Sequence, residues 1–161
     1  MAAFEQIAVD DSLDFGTHVF TAEEIKRFAN AYDPQPFHID EDAAAKSHFG
    51  ALCASGWHTA SVMMRLMVRH FTREAEAAAS RDEPSPALGP SPGFDNLKWL
   101  KPVYVGDEIR YAGRIVDKRQ TRSRPGWGVV SMEVTGTNQK GEPVFAYTGH
   151  VFVAMTGTAK I

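Results

Sequence analysis

The amino-acid sequence predicts an α+β fold in which one long helix packs against an antiparallel sheet. Three observations support this prediction. The chain has 161 residues, which is the length of about one domain. A long, largely apolar helical segment follows Ser55, and the second half of the chain alternates apolar and polar residues between short turns. We therefore expect residues 1–161 to form a single domain.

The first elements are a short strand and a capped helix. Residues 15–20 have a strand-like pattern, and the following Thr21 and Glu24 have the spacing of a capping box. Because Pro34 disfavours the α conformation at the residue before it, this helix should end near Tyr32.

The long helix is predicted from Ser55, as its N-cap, to about Ala79. Apolar side chains surround most of its circumference, and the clearly charged stripe consists of Arg65, Arg69 and Arg73. A helix that is apolar nearly all round is normally buried. We therefore expect other elements to wrap around it.

The second half of the chain supplies strands for this purpose. Apolar residues alternate over 109–115, 130–134 and 145–153, and turn sequences lie at 125–126 and 138–141. Consecutive strands joined by short turns pair in the antiparallel sense. The preceding stretch 82–95 contains four prolines and is interpreted as a connection within the domain.

Composition excludes several classes of protein. With 43% apolar and 23% charged residues, the chain is neither disordered nor collagen-like. Its single cysteine, Cys53, cannot form an internal disulfide, which favours a reducing, cytoplasmic location. No signal peptide and no apolar stretch of about 20 residues is present, so no membrane span is expected. The net charge of −3 argues against a nucleic-acid partner.

Charge is unevenly distributed along the chain. Residues 1–50 carry ten acids and three bases, whereas residues 98–124 carry eight bases and three acids. Two interpretations remain open at this stage. The basic segment is either a solvated strand face or a patch for an anionic ligand such as a phosphorylated cofactor.

The segment from Asp33 to His38 is the strongest candidate for chemistry. Pro34 and Pro36 should hold it as a stiff, extended loop, with a carboxylate and an imidazole at a fixed separation. Histidine exchanges protons near neutral pH, which suits acid–base catalysis. The alternative is a turn with a helix-capping aspartate and a packed histidine. His38, Asp40 and His48 match no familiar metal motif, so we expect no metal.

The stretch Phe28-Ala-x-x-Tyr-Asp-Pro-Gln-Pro-Phe-His-Ile-Asp40 resembles the signature of the MaoC-like dehydratases, or (R)-specific enoyl-CoA hydratases. The resemblance continues through residues 50–58 and 97–109 and covers about residues 15–155. It implies the hotdog fold, a single long central helix wrapped by an antiparallel sheet. It also implies a homodimer or larger assembly with the active site near a subunit interface.

The resemblance further implies a lyase that hydrates a trans-2-enoyl-CoA to a (R)-3-hydroxyacyl-CoA without a cofactor, since CoA is part of the substrate. Asp33 and His38 would be the catalytic pair and would share the reacting water; the sequence leaves open which of them is the base. Gly56 lies in the first helical turn, where a free backbone N–H can bind the thioester oxygen. A tight entry turn is the alternative role for this glycine.

Further residues are expected around this site. The predicted substrate contacts are Tyr32, Gln35, Ser55, Trp57 and His58, and the predicted contacts to the CoA phosphates are Lys98, Lys101, Arg122 and Arg124. Gln35 and Tyr32 depart from the family pattern of Asn and Gly, which leaves the acyl group open. Trp99 is interpreted as a core residue. The functional alternatives are a hotdog acyl-CoA thioesterase and a non-catalytic acyl-CoA-binding protein.

Overall fold

The computed structural model describes residues 4–83 and 87–156. A short 3₁₀ turn (Phe4–Gln6) precedes β1 (Ser12–Val19), α1 (Ala22–Tyr32), α2 (Pro36–Ile39), α3 (Glu41–Lys46) and α4 (Gly56–Ser80). Four strands follow: β2 (Gly93–Trp99), β3 (Glu108–Gln120), β4 (Trp127–Thr137) and β5 (Pro143–Ala154). No helix within these ranges is long and apolar enough to cross a membrane.

The five strands form one antiparallel sheet in the order β1-β3-β4-β5-β2. The apolar positions of the predicted alternation, such as Ile109, Val134 and Val153, lie in the core. Val62, Met63 and Leu66 of α4 join the same core. This confirms the predicted α+β hotdog architecture. Of the stretch predicted as a connection, residues 84–86 lie outside the described residues, and the last residues already belong to β2.

The helix α4 begins where the sequence predicts. The N–H of Trp57 donates to Oγ of Ser55 over 3.2 Å, so Ser55 is the N-cap. The sheet wraps one side of this helix, and the other side is exposed in the single chain. Trp57, Met64 and Val68 are 54%, 45% and 53% exposed, because one sheet covers only one side of a helix. These three residues and the exposed Phe94 of the edge strand β2 form what we call the α4–β2 face.

The region before the site departs from the predicted extended loop. The N–H of Glu24 donates to Oγ1 of Thr21, but the Glu24 side chain contacts Nε2 of His18 instead of returning to the cap. Asp33 leaves the helical conformation as expected. The next residues form the short helix α2, because a proline such as Pro36 is well tolerated in the first turn of a helix.

Strand order explains much of the uneven charge. β1 pairs with β3, which brings Asp14 to Arg110 (2.6 Å) and Asp10 to Arg114 (2.9 Å). Lys118 donates to backbone carbonyl groups of the N-terminal 3₁₀ turn, including that of Phe4 at 3.1 Å. Arg110, Arg114 and Lys118 therefore make contacts within the chain. This agrees with the interpretation of the basic segment as a solvated strand face.

Candidate active site

A cavity of about 450 Å³ lies at the N-terminal end of α4. Its walls come from four parts of the chain: residues from 33–38, Phe49, residues from 53–59, and residues 99–103. We call it the catalytic pocket. It contains both predicted catalytic side chains together with Gly56, and also Gln35, Ser55 and Trp57 from the predicted substrate contacts.

Asp33 and His38 face each other across this pocket. Oδ2 of Asp33 is 3.6 Å from Nε2 of His38. The other ring nitrogen, Nδ1, is 2.7 Å from the carbonyl oxygen of Cys53. Because a carbonyl only accepts, Nδ1 carries a hydrogen, and in neutral His38 the lone pair is therefore on Nε2. The hydrogen bond to the main chain thus fixes the tautomer of His38 in which Nε2, the nitrogen that faces Asp33, is a proton acceptor.

The Asp33 carboxylate is held by two further donors. Oγ of Ser55 donates to Oδ2 over 2.7 Å, and Nε2 of Gln35 donates to Oδ1 over 2.8 Å. Burial acts to raise the pKa of Asp33, but these hydrogen bonds and the nearby His38 outweigh it, so that this pKa lies below its ordinary value. Asp33 is therefore ionised at neutral pH.

The first turn of α4 contains one available backbone donor. The N–H of Trp57 binds Oγ of Ser55, and the N–H groups of His58 and Thr59 bind the carbonyl oxygen of Ser55 at 2.9 and 3.1 Å. The N–H of Gly56 has no hydrogen-bond partner among the described residues. Since Gly56 lines the pocket at the positive end of a long helix, this N–H can bind an oxygen that becomes negatively charged.

Trp99 corrects the sequence interpretation. It is 45% exposed and forms a wall of the catalytic pocket, because β2 is the edge strand of the sheet formed by the described residues. The indole packs edge-to-face on Trp57 with centroids 5.1 Å apart. It also lies directly against Gly56, where an added Cβ would come within 2.7 Å of Cδ1 of the ring.

Other pocket walls were not identified from the sequence. They are mostly apolar: Phe37, Phe49, Leu100 and Val103. The Tyr104 hydroxyl donates to the carbonyl oxygen of Phe49 over 2.9 Å and so holds one of these walls in place. No short motif marks these residues, because they meet only once the β2–β3 connection folds over the start of α4.

Tyr32 and His58, two of the predicted substrate contacts, do not line the catalytic pocket. Both lie in a separate cleft of about 390 Å³ between α1 and α4, which we call the α1–α4 cleft. Burial lowers the pKa of His58 to about 4, so this imidazole is uncharged at neutral pH.

The four predicted phosphate contacts are split between two regions. Lys101 lines the catalytic pocket and pairs with Glu142 at 2.5 Å, and Lys98 lies next to Trp99 on β2. Arg122 and Arg124 lie on the β3–β4 turn at the opposite end of the sheet, about 30 Å along the strands. Arg124 there stacks over the rings of Trp127 and Phe152. One protomer therefore brings only the two lysines near the site.

No group of three or more His, Cys, Asp or Glu side chains in the described ranges has the arrangement of a metal site. The polar groups of the catalytic pocket can serve in acid–base chemistry and hydrogen bonding. They include one carboxylate, one imidazole, one amide, the hydroxyls of Ser55 and Thr59, the Lys101 ammonium and the Gly56 N–H.

Comparison with known proteins identifies the family of the chain. The chain matches the MaoC like domain over residues 5–138. A solved MaoC-like dehydratase from Rhodospirillum rubrum is 35% identical with a TM-score of 0.83, and the match covers 98% of this chain and 100% of that one. The uncharacterized protein YdeM of Bacillus subtilis is 28% identical over 123 residues, which are 76% of this chain and 78% of that protein. The mitochondrial 3-hydroxyacyl-[acyl-carrier-protein] dehydratase of Arabidopsis thaliana is 26% identical over 130 residues, covering 77% and 69%. The chain therefore belongs to the MaoC-like dehydratase family.

Proposed function

We propose that this hydratase/dehydratase family member is a hydro-lyase that reversibly adds water to a trans-2-enoyl-CoA and forms a (R)-3-hydroxyacyl-CoA. One observation carries the proposal. Two hydrogen-bond acceptors, Oδ2 of Asp33 and Nε2 of His38, lie 3.6 Å apart in the pocket that Gly56 also lines, and the Gly56 N–H has no partner in the described part of the chain. One water molecule can donate one hydrogen to each acceptor, which leaves its oxygen lone pairs free to attack.

In the proposed reaction, the water oxygen forms a bond to C3 as His38 Nε2 takes one of its protons. The electron pair of the double bond moves to the thioester, whose oxygen becomes negative and accepts a hydrogen bond from the Gly56 N–H. The proton on His38 then passes to C2 and restores the neutral imidazole. Asp33 is assigned to hold the water and to stabilise the transient imidazolium, because its two hydrogen bonds favour the ionised form.

The walls of the pocket fit an acyl thioester. Phe37, Trp57, Trp99 and Leu100 offer apolar surface on both sides of the polar groups. We propose that Lys98 and Lys101 contact the CoA phosphates, since they lie at the site end of the sheet. Arg122 and Arg124 of the same protomer lie at the other end of the sheet. They could therefore contact only a CoA molecule that is bound at the site of a partner subunit.

We also propose that the protein is a homodimer through the α4–β2 face. Trp57, Met64 and Val68 form an exposed apolar stripe on α4, and the adjacent edge of β2 has no strand partner among residues 4–83 and 87–156. Exposed apolar patches of this kind mark interaction surfaces. Because Trp57 and Trp99 belong both to the pocket and to this side of the molecule, the dimer would place the active site close to the interface.

The test uses the purified protein and crotonyl-CoA, with the enoyl absorbance and free thiol measured in parallel. We expect loss of enoyl absorbance, no thiol release and a (R)-configured product. Asp33→Asn and His38→Ala should each lower kcat by about 10²–10⁴-fold, since positioned acid–base groups contribute this much. Asp42→Asn removes an exposed carboxylate from the same acidic segment and serves as the matched control.

The alternatives give different results in the same assay. A thioesterase would release thiol while the enoyl absorbance persists, and a non-catalytic protein would bind the thioester without turnover. Full turnover by both variants would show that the catalytic pair is wrongly assigned. A Ser131–His150–Asp95 trio does link three strands, with contacts of 2.9 and 3.0 Å. However, none of these three residues lines the catalytic pocket, so the trio does not favour a hydrolase.

A further inference from the structure

The α1–α4 cleft contains polar groups that the proposed reaction does not use. It lies between α1 and α4, and none of its lining residues lines the catalytic pocket. Tyr32 directly precedes Asp33, and His58 follows Ser55 by about one helical turn. The cleft therefore adjoins the catalytic residues.

His58 lines this cleft, and one of its ring nitrogens lacks a hydrogen-bond partner among the described residues. The residue is only 6% exposed, and its buried Nδ1 has no hydrogen-bond partner among the described residues. Its ring stacks on Phe28, with centroids 4.7 Å apart and planes at 10°, and meets the edge of Phe20 at 5.1 Å. Leaving a buried donor or acceptor unpaired destabilises the folded chain. Nδ1 is inaccessible to solvent in this structure, so a ligand would reach it only after the ring shifts, and pairing would then remove this penalty.

The charge in the cleft favours an anionic ligand. Arg65 lines the cleft without a carboxylate partner in the described part of the chain. One of its N–H groups donates to Nδ1 of His18 over 3.3 Å, and the other donors of the guanidinium remain available. The acid of the cleft, Glu24, is already bound to the opposite nitrogen of His18. The lining of the cleft contains two arginines, Arg27 and Arg65, and one acid, Glu24, so its formal charge is positive.

We propose that the α1–α4 cleft binds a small carboxylate, with Arg65 and Nδ1–H of His58 as its donors and Phe28 and Tyr32 as its apolar walls. A guanidinium is well suited to bind a carboxylate through two parallel hydrogen bonds. The carboxylate has two sources. It is either the distal end of a dicarboxylic acyl group, which rests on the proposed hydration reaction, or a separate small carboxylic acid bound beside the site.

The first experiment measures binding of free adipate to the purified protein by calorimetry. The wild type should bind adipate saturably, and Arg65→Gln and His58→Leu should each weaken binding at least tenfold. Arg69→Gln is the matched control, since Arg69 lies one turn further along α4 and lines a different groove. Circular dichroism of each variant confirms that it is folded. The absence of saturable binding, or equal weakening by Arg65→Gln and Arg69→Gln, would overturn the site.

The second experiment distinguishes the two sources. It compares kcat/KM for trans-2-hexenoyl-CoA and for the CoA monothioester of trans-2-hexenedioic acid, which differs by a terminal carboxylate. A tenfold preference for the dicarboxylic thioester that disappears in Arg65→Gln identifies the acyl end as the ligand. Equal kcat/KM values, with adipate not displaced by hexenoyl-CoA, identify a separate acid. If neither thioester is hydrated while Arg65-dependent adipate binding persists, the proposed function fails and the carboxylate site stands.

Discussion

Replacement of Gly56 by alanine tests the most specific part of the proposed mechanism. The missing side chain at Gly56 leaves room for the Trp99 indole and, in the proposed mechanism, for the incoming thioester oxygen. The Cβ of a helical residue tilts toward the N-terminus of its helix. In Gly56→Ala it would approach Cδ1 of Trp99 to 2.7 Å and would stand beside the free N–H.

Gly56→Ala has two separate effects, one on folding stability and one on kcat, and the magnitude of each can be estimated. Inserting a methyl group into a packed contact costs about 1–3 kcal/mol of folding stability. The lower end is expected here, because Trp99 is half-exposed and can move outward. Loss of one donor to a developing oxyanion lowers kcat by about 10²–10³-fold, or about 3–4 kcal/mol.

A double-mutant cycle separates the two effects. Gly56→Ala, Trp99→Ala and the double variant are compared by urea unfolding and by kcat with crotonyl-CoA. We expect the stability lost in Gly56→Ala to be largely recovered in the Trp99→Ala background, because the overlap is gone. The double variant should still have a kcat about 10²–10³-fold below that of Trp99→Ala, because the methyl group still obstructs the N–H.

The result that would refute this reasoning is equal kcat for the double variant and Trp99→Ala. Gly56 would then only accommodate the indole, and the thioester oxygen would be bound elsewhere. Gly89→Ala is the matched control. An added Cβ at Gly89 meets the side chains of Phe152 and Trp127, remote from the pocket, and should affect stability alone.

Three further outcomes are expected. Ser55→Ala removes a donor that lowers the pKa of Asp33, so that pKa should rise when the carboxyl group is titrated by ¹³C NMR; an unchanged pKa of Asp33 would contradict the assignment. The lost N-cap should also reduce the unfolding free energy by about 0.5–2 kcal/mol in urea titrations. Met64→Glu places a charge in the α4–β2 face and should convert a dimer to a monomer in light scattering, whereas Arg69→Glu should not. Lys118→Met removes the donor to the N-terminal carbonyl groups, including that of Phe4, and should speed hydrogen exchange of residues 4–7 with the α4 amides unaffected.

The secondary structure could be predicted because its signals are local. Period-two alternation marked the strands, and the serine cap marked the start of α4. The Asp33–His38 pair could also be predicted as a candidate, since five residues and two prolines limit their separation. Its geometry could not, because the tautomer of His38 depends on a carbonyl group fifteen residues away.

The surroundings of Trp99 and His58 could not be predicted, for a different reason. Trp99 is apolar and follows a strand pattern, so only the strand order shows that it lies on an edge. His58 and Trp57 are neighbours on α4, but one faces α1 and the other faces Trp99. The face that each presents depends on how α1 and β2 pack around the helix. Likewise, the pairing of Arg110 with Asp14 follows from β1 joining β3, which no local pattern encodes.

The contact between His38 and the carbonyl oxygen of Cys53 has a practical consequence for labelling the protein. The hydrogen bond comes from the main chain, so any residue at position 53 that keeps the backbone in place can supply it. Burial raises the pKa of the Cys53 thiol to about 11, so the native thiol is protonated and a poor nucleophile. Since Cys53 is the only cysteine of the chain, Cys53→Ala yields a thiol-free background. New cysteines introduced there could carry spin labels or fluorophores on either side of the α4–β2 face, with the His38 tautomer intact.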